Sequence, residues 1–363
     1  MSCTSPLYRI PLSTKNFSLL IPQDQKRLRN HGVFLKIGEV QAYSDLPGWN
    51  PDQVQKLRCG QCMDCRLAYS RDWAVRCSLE ASMHEHNYFV TLTYDDNTLP
   101  RGEYIDYNGD IYDSQLVRRD IQLFIKNLRE WERVHNGNTG IKVFYCGEYG
   151  GQTSRPHYHI CLFGVSEIPD LKFFAKRGNY KFYKSSLYEQ FWSIKQPGMP
   201  DILRGFVDIS DVTFDSIAYT ARYITKKQQG LMKKNFLEFW ESLDPASRWT
   251  LEVRKQPFVG MSLKPAIASE YYEKHKLQIR SEDLVKYQKK YDIFKSRPPR
   301  YFDKLFERDD PVGFSKLKAK RCKGGIAAQK VRYRLCSESE ISRLKHEEEI
   351  LQRKDKLYYV RGL

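Results

Sequence analysis

The sequence has no run of about 18 apolar residues, the shortest stretch that predicts a membrane-spanning helix. Residues Met1 to Tyr8 also lack the basic start and apolar run of a secretory signal peptide. No internal repeat is found, so solenoid and propeller folds are not expected. These absences predict a protein without a membrane span, working in the cytoplasm.

Cysteine and acidic residues are both scarce. Nine cysteines in 363 residues is an odd number in a long chain without an export signal, which favours reduced thiols in a cytoplasm. Asp and Glu number 44 against 60 Lys and Arg, so the net charge is +16. Such a charge favours a polyanionic partner, nucleic acid first and an anionic membrane surface second. The 24 tyrosines and 19 phenylalanines could supply rings on which bases stack.

The pattern of apolar residues predicts an α+β fold in which an antiparallel sheet is flanked by helices. Residues 1–83 are expected to be an N-terminal region of irregular or short-stranded chain, followed by a cysteine-rich turn and a helix from Arg66 to about Met83. Residues 231–363 are expected to be mostly helical and basic. Between them, residues 84–230 predict one domain with an open sheet face. Its predicted strands are 87–94, 141–147, 156–164 and 205–210, and its helices are 114–134, 185–194 and 214–227. Residues 95–113 are expected to be a polar loop.

Two histidines lie two residues apart in one of these strands. The period of two in a strand sends His157 and His159 to one face, with Tyr158 and Ile160 on the other. Two neutral imidazoles on one face can bind a single metal ion. Glu148, in the hairpin that returns to His157, could complete a His-His-Glu set that suits Mn²⁺ or Mg²⁺, and three such ligands could also hold tetrahedral zinc. The alternative is two ordinary strand residues and a solvated turn carboxylate.

Two tyrosines lie one turn apart in the last predicted helix. At about 100° per residue, one face of that helix carries Tyr219, Tyr223, Lys226 and Lys227. Nearby cations favour the phenolate form, which is the nucleophilic form of tyrosine. The pair could therefore attack a phosphodiester and form a phosphotyrosine that retains the energy of the cleaved bond. The alternative is a pair of amphipathic core tyrosines beside a basic helix end.

Two further segments stand outside this domain. Cys59, Cys62 and Cys65 have the spacing of ligands to zinc or an iron–sulfur cluster, with Cys77 as a conceivable fourth, or they form a helix-start turn with thiols that hold no metal. The segment 316–334 has eight Lys and Arg in nineteen residues, with two adjacent glycines. It is expected to be a flexible basic arm.

Three segments in chain order resemble the three motifs of HUH-superfamily rolling-circle replication initiators. They are Phe89–Tyr94, the Arg-Pro-His-Tyr-His run at 155–159 and the Tyr-x-x-x-Tyr-x-x-Lys helix at 219–226. With Cys59–Arg66 and Cys146–Gly150, the chain from about 59 to 230 is similar to the initiators of microviruses of the gokushovirus branch. Tyr158 departs from the superfamily, which usually has an aliphatic residue there. The departure matters little if the side chain points away from the metal face.

The resemblance implies an HUH endonuclease-like fold and a function. His157 and His159 would bind a divalent ion, Mg²⁺ or Mn²⁺. Tyr219 and Tyr223 would be the two nucleophiles, one nicking the origin strand and the other rejoining it, with assistance from Lys226 or Lys227. The products of nicking would be a 5'-phosphotyrosine and a 3'-OH primer. The implied partners are single-stranded and origin DNA and host replication proteins such as a helicase, in the cytoplasm of a bacterial host.

Two other functions compete with this interpretation. One is a non-catalytic nucleic-acid-binding protein that stacks bases on rings such as Phe89 and Phe144 of an open sheet. The other is a His-x-His metallohydrolase that acts on a small phosphate ester. Neither of them needs the tyrosine pair, which favours the initiator.

Overall fold

The computed structural model describes residues 7–10, 33–36, 55–60, 62–178, 180–222, 240–242, 251–289 and 292–334, together with a few positions between 342 and 353. The chain divides into two compact units. One comprises Met1–Tyr69 and Val312–Leu363, and the other comprises Ser70–Pro311. None of the described helices combines the length and apolar character that crossing a membrane requires.

The first unit contains a small antiparallel sheet of three strands. These are β1 (Leu7–Ile10), β2 (Val33–Lys36) and β3 (Gln55–Leu57), in the spatial order β2-β1-β3. The expectation of short strands before residue 58 is confirmed. Helix α1 (Met63–Ala81) follows close to its predicted bounds and continues into the residues of the second unit.

The strands of the second unit include all four that were predicted. In chain order they are β4 (Asn87–Thr93), β5 (Arg101–Ile105), β6 (Ile111–Ser114), β7 (Lys142–Tyr149), β8 (Pro156–Phe163), β9 (Lys172–Arg177), β10 (Tyr180–Lys184), β11 (Ser193–Ile194), β12 (Ile202–Leu203), β13 (Val207–Asp211), β14 (Glu252–Val253), β15 (Phe258–Met261), β16 (Val285–Lys289) and β17 (Asp292–Ser296). Seven of them form one antiparallel sheet in the order β15-β7-β8-β4-β13-β10-β9. The predicted α+β class with a flanked antiparallel sheet is therefore confirmed.

Helices cover both faces of this sheet. They are α2 (Arg118–Asn136), α3 (Ser186–Phe191), α4 (Phe214–Arg222), α5 (Ser269–Glu282) and α6 (Arg300–Asp309). On one face, Ile160 of β8 lies in the same apolar cluster as Phe124 and Leu128 of α2. On the other face, Cys161 of β8 shares a cluster with Ile217 of α4. Burying each such Leu, Ile or Phe side chain contributes about 1.5–3 kcal/mol, so packing on both faces stabilises the sheet.

Two expectations about this unit are wrong. Residues 95–113 are not simply a loop, because β5 and β6 form a hairpin there. The first predicted helix residues, up to Ser114, are used in β6, which delays the start of α2 to Arg118. Phe144 cannot stack bases on an open sheet face, because it is fully buried and stacks on Trp73 with ring centroids 5.3 Å apart.

The chain after residue 251 is partly as predicted. Helices α5 and α6 agree with the expected helical character, but β15 adds a strand to the edge of the main sheet and β16 pairs with β17. The basic segment 316–334 belongs to helix α7 (Pro311–Arg334) and is not a flexible arm. Lys, Arg, Ala and Gln are strong helix formers, which outweighs the cost of about 1 kcal/mol for each of Gly324 and Gly325.

Candidate active site

The site is built on two neighbouring strands. Residues Glu148 of β7 and His157 of β8 are directly opposite each other, and Cys146 is opposite His159. Because alternate residues of a strand share a face, the carboxylate and both imidazoles lie on the face that α4 covers. Tyr158 points to the other face, as the sequence predicted. It is fully buried, and its hydroxyl accepts a 2.9 Å hydrogen bond from the Val117 amide.

The three side chains converge on a single oxygen. Glu148 Oε1 lies 2.7 Å from His157 Nε2 and 2.9 Å from His159 Nε2. One donor atom from each of the three residues lies within 4.8 Å of the other two. The sequence predicted this His-His-Glu grouping, and the fold brings all three members together.

The far sides of both imidazoles are held by oxygen atoms. His157 Nδ1 lies 3.2 Å from the Arg155 carbonyl oxygen, and His159 Nδ1 lies 3.0 Å from the Thr91 hydroxyl. A carbonyl oxygen can only accept, so the proton of His157 sits on Nδ1. Oxygen partners of this kind orient histidine ligands and direct the Nε2 lone pair toward an ion.

The carboxylate of Glu148 is almost completely shielded from water. Its residue is 1% exposed, and among the described residues its Oε2 atom is buried without a hydrogen-bond partner. Burial raises its pKa, but hydrogen bonds from the two imidazoles outweigh burial and lower the pKa to about 2. Burial lowers the pKa of His159, which favours the neutral imidazole that a metal requires. An orphaned anionic oxygen beside two neutral imidazoles fits a divalent cation.

Tyr219 reaches this cluster from helix α4. The helix begins with a reciprocal cap, in which Thr213 Oγ1 accepts from the Ser216 amide at 3.1 Å and Ser216 Oγ accepts from the Thr213 amide at 2.9 Å. Ile217 and Ala221 bury the inner face of the helix. This docking leaves Tyr219 half-buried at the rim of the metal-ligand cluster.

The Tyr219 hydroxyl donates a 2.8 Å hydrogen bond to Glu148 Oε1. Its ring also meets the His159 ring edge to face, with centroids 5.2 Å apart. A predicted nucleophile and the predicted ligands therefore share one oxygen atom. Tyr223, Lys226 and Lys227, the other predicted catalytic residues, lie outside the described residues.

The sequence does not assign two further residues to the site. Thr91 holds His159 through its hydroxyl, and Phe89 stacks on the His159 ring at 5.4 Å with an interplanar angle of 9°. The sequence indicates only a strand residue at Thr91, and a strand residue or a base-stacking ring at Phe89. Their role depends on the pairing of β4 with β8, which places Thr91 opposite His159, and no local sequence signal gives that register.

The cysteine cluster of the first unit also converges. Donor atoms of Cys59, Cys62 and Cys65 lie within 4.8 Å of one another, and the sulfurs of Cys59 and Cys65 are 3.9 Å apart. The Cys62 amide donates to the Cys59 sulfur at 3.2 Å. Cys77 is excluded as a fourth ligand because it follows Cys65 by twelve residues in α1, which is about 18 Å along the helix.

The fold and the site define a class of protein: an antiparallel α+β sheet with a histidine–histidine–carboxylate cluster and a tyrosine at its rim. Residues 87–228, a span that contains all four of these side chains, match the model of a family described as replication-associated proteins of the ORF2 type. The chain is similar to Replication-associated protein ORF2 of Spiroplasma virus 4, with 35% identity over 268 residues that cover 72% of either chain. The chain therefore belongs to the family of phage replication-associated proteins.

More distant relatives come from other bacterial viruses. Replication-associated protein VP4 of Bdellovibrio phage phiMH2K is 31% identical over 176 residues, which are 47% of this chain and 48% of the relative. Replication-associated protein ORF4 of Chlamydia phage 1 is 31% identical over 191 residues, which are 50% of this chain and 42% of the relative. No solved structure matches the chain.

Proposed function

We propose that this protein is a metal-dependent DNA endonuclease and strand transferase of the HUH type, which initiates rolling-circle replication. The observation that carries the proposal is the hydrogen bond from the Tyr219 hydroxyl to the carboxylate that also joins His157 and His159. Tyrosine-based nicking requires a nucleophile placed against an ion-binding group, and this contact supplies that placement.

Glu148, His157 and His159 would hold the ion, which suits Mg²⁺ or Mn²⁺ by its ligand set. A divalent ion in this position would polarise the phosphate oxygens of a bound strand. The carboxylate bond orients the Tyr219 hydroxyl, which is the atom that reacts. Burial of Glu148 strengthens this interaction, because charges act more strongly away from water.

The proposed reaction is a transesterification. The Tyr219 oxygen forms a bond to phosphorus, and the bond from phosphorus to the 3' oxygen breaks. The phenol loses its proton, the leaving 3' oxygen gains one, and no net proton is consumed. The products are a 5'-phosphotyrosine and a 3'-OH primer. Attack by that 3' oxygen on the phosphotyrosine rejoins the strand, for which the covalent link retains the required energy.

The remaining parts of the proposal come from the family resemblance. Tyr223 would be the second nucleophile, and Lys226 or Lys227 would favour the phenolate by its charge. DNA, as a single strand and at the replication origin, is the partner that the net charge of +16 favours. Host replication proteins such as a helicase, and the cytoplasm of the bacterial host, complete the proposed setting.

Tyrosine-to-phenylalanine variants test the nucleophile. Each change removes one hydroxyl and keeps the ring, so folding should be nearly unaffected. Tyr219→Phe together with Tyr223→Phe should bind single-stranded DNA at wild-type strength but give no covalent adduct on a denaturing gel with Mn²⁺. Tyr145→Phe, on the opposite face of β7, is the matched control and should form the adduct. Cleavage by the double variant would mean that water is the nucleophile and would support a metallohydrolase instead.

We also propose that Cys59, Cys62 and Cys65 bind one structural metal ion of the zinc type. Two thiolates on one tetrahedral ion with bonds of about 2.3 Å lie about 3.8 Å apart, close to the 3.9 Å between Cys59 and Cys65. In an iron–sulfur cluster each thiolate binds a different iron, which separates the sulfurs further. The start of α1 at Met63 also favours thiolates, because the helix N-terminus is positive.

Metal analysis tests the cysteine site. In a His157→Ala/His159→Ala background, the purified protein should contain one zinc per chain, and Cys62→Ser should remove it. Cys322→Ser, at an exposed cysteine of α7, is the control and should retain the metal. A zinc content that Cys62→Ser leaves unchanged would contradict the proposal.

A further inference from the structure

The edge of the main sheet carries a concentration of positive charge. Residues 172–184, which form the β9–β10 hairpin, contain five Lys and Arg and no Asp or Glu. One of the five, Lys184, is paired with Asp208 at 2.8 Å. The other four are exposed and form no ion pair with a described residue: Lys172, Lys176, Arg177 and Lys181. This edge therefore offers four positive charges to an anion.

Large aromatic rings are exposed on the same edge. Phe174 is 58% exposed and Phe206 is 62% exposed. The Lys184 ammonium lies between them, 5.2 Å from the Phe174 ring centroid and 5.8 Å from that of Phe206. Phe174 is the extra residue where the β9–β10 register shifts, and a bulge of this kind redirects a side chain. The two rings and the ammonium form one continuous surface.

This surface lies in line with the candidate active site. Glu148 pairs with His157, His157 pairs with Thr93, and the Thr93 amide donates to the Phe206 carbonyl at 3.0 Å. Neighbouring strands are about 4.8 Å apart, so Phe206 lies about 10 Å from the His157 strand and Phe174 lies about 19 Å away. About six nucleotides cover 19 Å at the 3.4 Å rise of a duplex strand, and fewer cover it when the strand is extended.

We propose that this surface binds the single-stranded DNA that flanks the cleaved phosphate. We call it the edge strip, defined by Phe174, Lys184 and Phe206 with the four cations Lys172, Lys176, Arg177 and Lys181. Its rings would stack on bases and its cations would contact phosphates, the combination that holds single strands without reading their sequence. The inference rests on the proposed function and names the path of its substrate.

The usual reason for charge on a sheet edge does not account for the edge strip. Lysines on an edge strand prevent edge-to-edge aggregation, but exposed phenylalanines have the opposite effect. Lys176 and Lys181 are also directly opposite each other, and facing like charges destabilise a strand pair. A bound polyanion would remove that repulsion and cover the rings together.

Removing the rings tests the stacking contribution. Phe174→Ala/Phe206→Ala should weaken binding of a labelled 12-nucleotide oligo-dT, measured by fluorescence anisotropy, by roughly 5- to 150-fold for each ring that stacks on a base. Phe174→Tyr/Phe206→Tyr keeps the aromatic faces and should restore binding, which separates stacking from a loss of folding. Unchanged affinity in the alanine variant would overturn the proposal.

Removing two charges tests the phosphate contacts. Lys176→Gln/Lys181→Gln should lower the log–log slope of oligo-dT affinity against salt by about 1.4, at about 0.7 per lost contact. Lys274→Gln/Lys304→Gln removes the same charge from exposed positions on α5 and α6 and should change the slope little. An equal reduction in both variants would mean that net charge alone acts, and the proposal would fall.

The edge strip and the nuclease can fail separately. Loss of oligo-dT binding in the ring variant, in a protein that forms no tyrosine adduct, would support the edge strip and contradict the nuclease. Wild-type oligo-dT affinity in the ring variant, in a protein that does form the adduct, would do the reverse. A dimer that dissociates on Phe174→Ala/Phe206→Ala, seen by analytical ultracentrifugation without DNA, would show that a second copy covers this surface and would overturn the proposal.

Discussion

Thr91 shows how much of this site depends on a residue with no chemistry of its own. Its hydroxyl is 3.0 Å from His159 Nδ1 and fixes the imidazole from behind. The histidines and Glu148 could be predicted, because the strand period and the hairpin between them are local features. Thr91 could not, because its partner is 68 residues away and only strand pairing brings them together.

Replacing Thr91 by valine therefore tests the support of the metal ligand. Thr91→Val keeps the shape of the side chain but removes the hydrogen bond to His159. We expect Mn²⁺ affinity to fall about 10- to 100-fold, the usual cost of losing such a partner, as measured by isothermal titration calorimetry. Thr93→Val is the matched control, since its hydroxyl contacts the Phe206 carbonyl rather than an imidazole. Equal affinity in Thr91→Val and wild type would show that His159 needs no such support.

At the scale of elements, prediction succeeded where the apolar pattern was regular and both neighbours were local. Strands β4, β7 and β8 and helix α2 show clear periods of two or of three to four, and all four are confirmed. The β9–β10 hairpin was missed because its phenylalanines face solvent, so no apolar face marks it. Helix α7 was mistaken for a flexible arm because two adjacent glycines were given more weight than the helix formers around them.

Helix α7 carries the basic charge that the sequence assigned to an arm. Exposed lysines lie at 316, 318, 320 and 323. Changing all four to Gln should keep the helix, since Gln is a good helix former, and should lower the salt slope of single-strand binding by up to about 2.8. The measurement is anisotropy at several salt concentrations, with circular dichroism as the control for helicity. An unchanged slope would mean that this helix contacts something other than DNA.

For the whole molecule, the structure separates the groups that would bind DNA from those that would cleave it. The net charge of +16 is spread over the chain, whereas the His-His-Glu cluster is a single point. An excess of chelator should therefore abolish the covalent adduct and leave oligo-dT affinity within about twofold. Raising the salt concentration should weaken binding steeply, by about 0.7 in log–log slope per phosphate contact. Adduct formation in excess chelator would contradict the metal assignment.

Tyr158 has a consequence for how the chain avoids misfolding. A slip of β8 by one residue would exchange its faces, turning both histidines into the apolar layer beside α2 and Tyr158 toward the ion site. The Tyr158 hydroxyl would then lose the Val117 amide, and two polar rings would be buried without partners, at about 1–3 kcal/mol for each unpaired group. The strand thus carries its own check on alignment, and an aliphatic residue at this position would keep the apolar contact but omit the check.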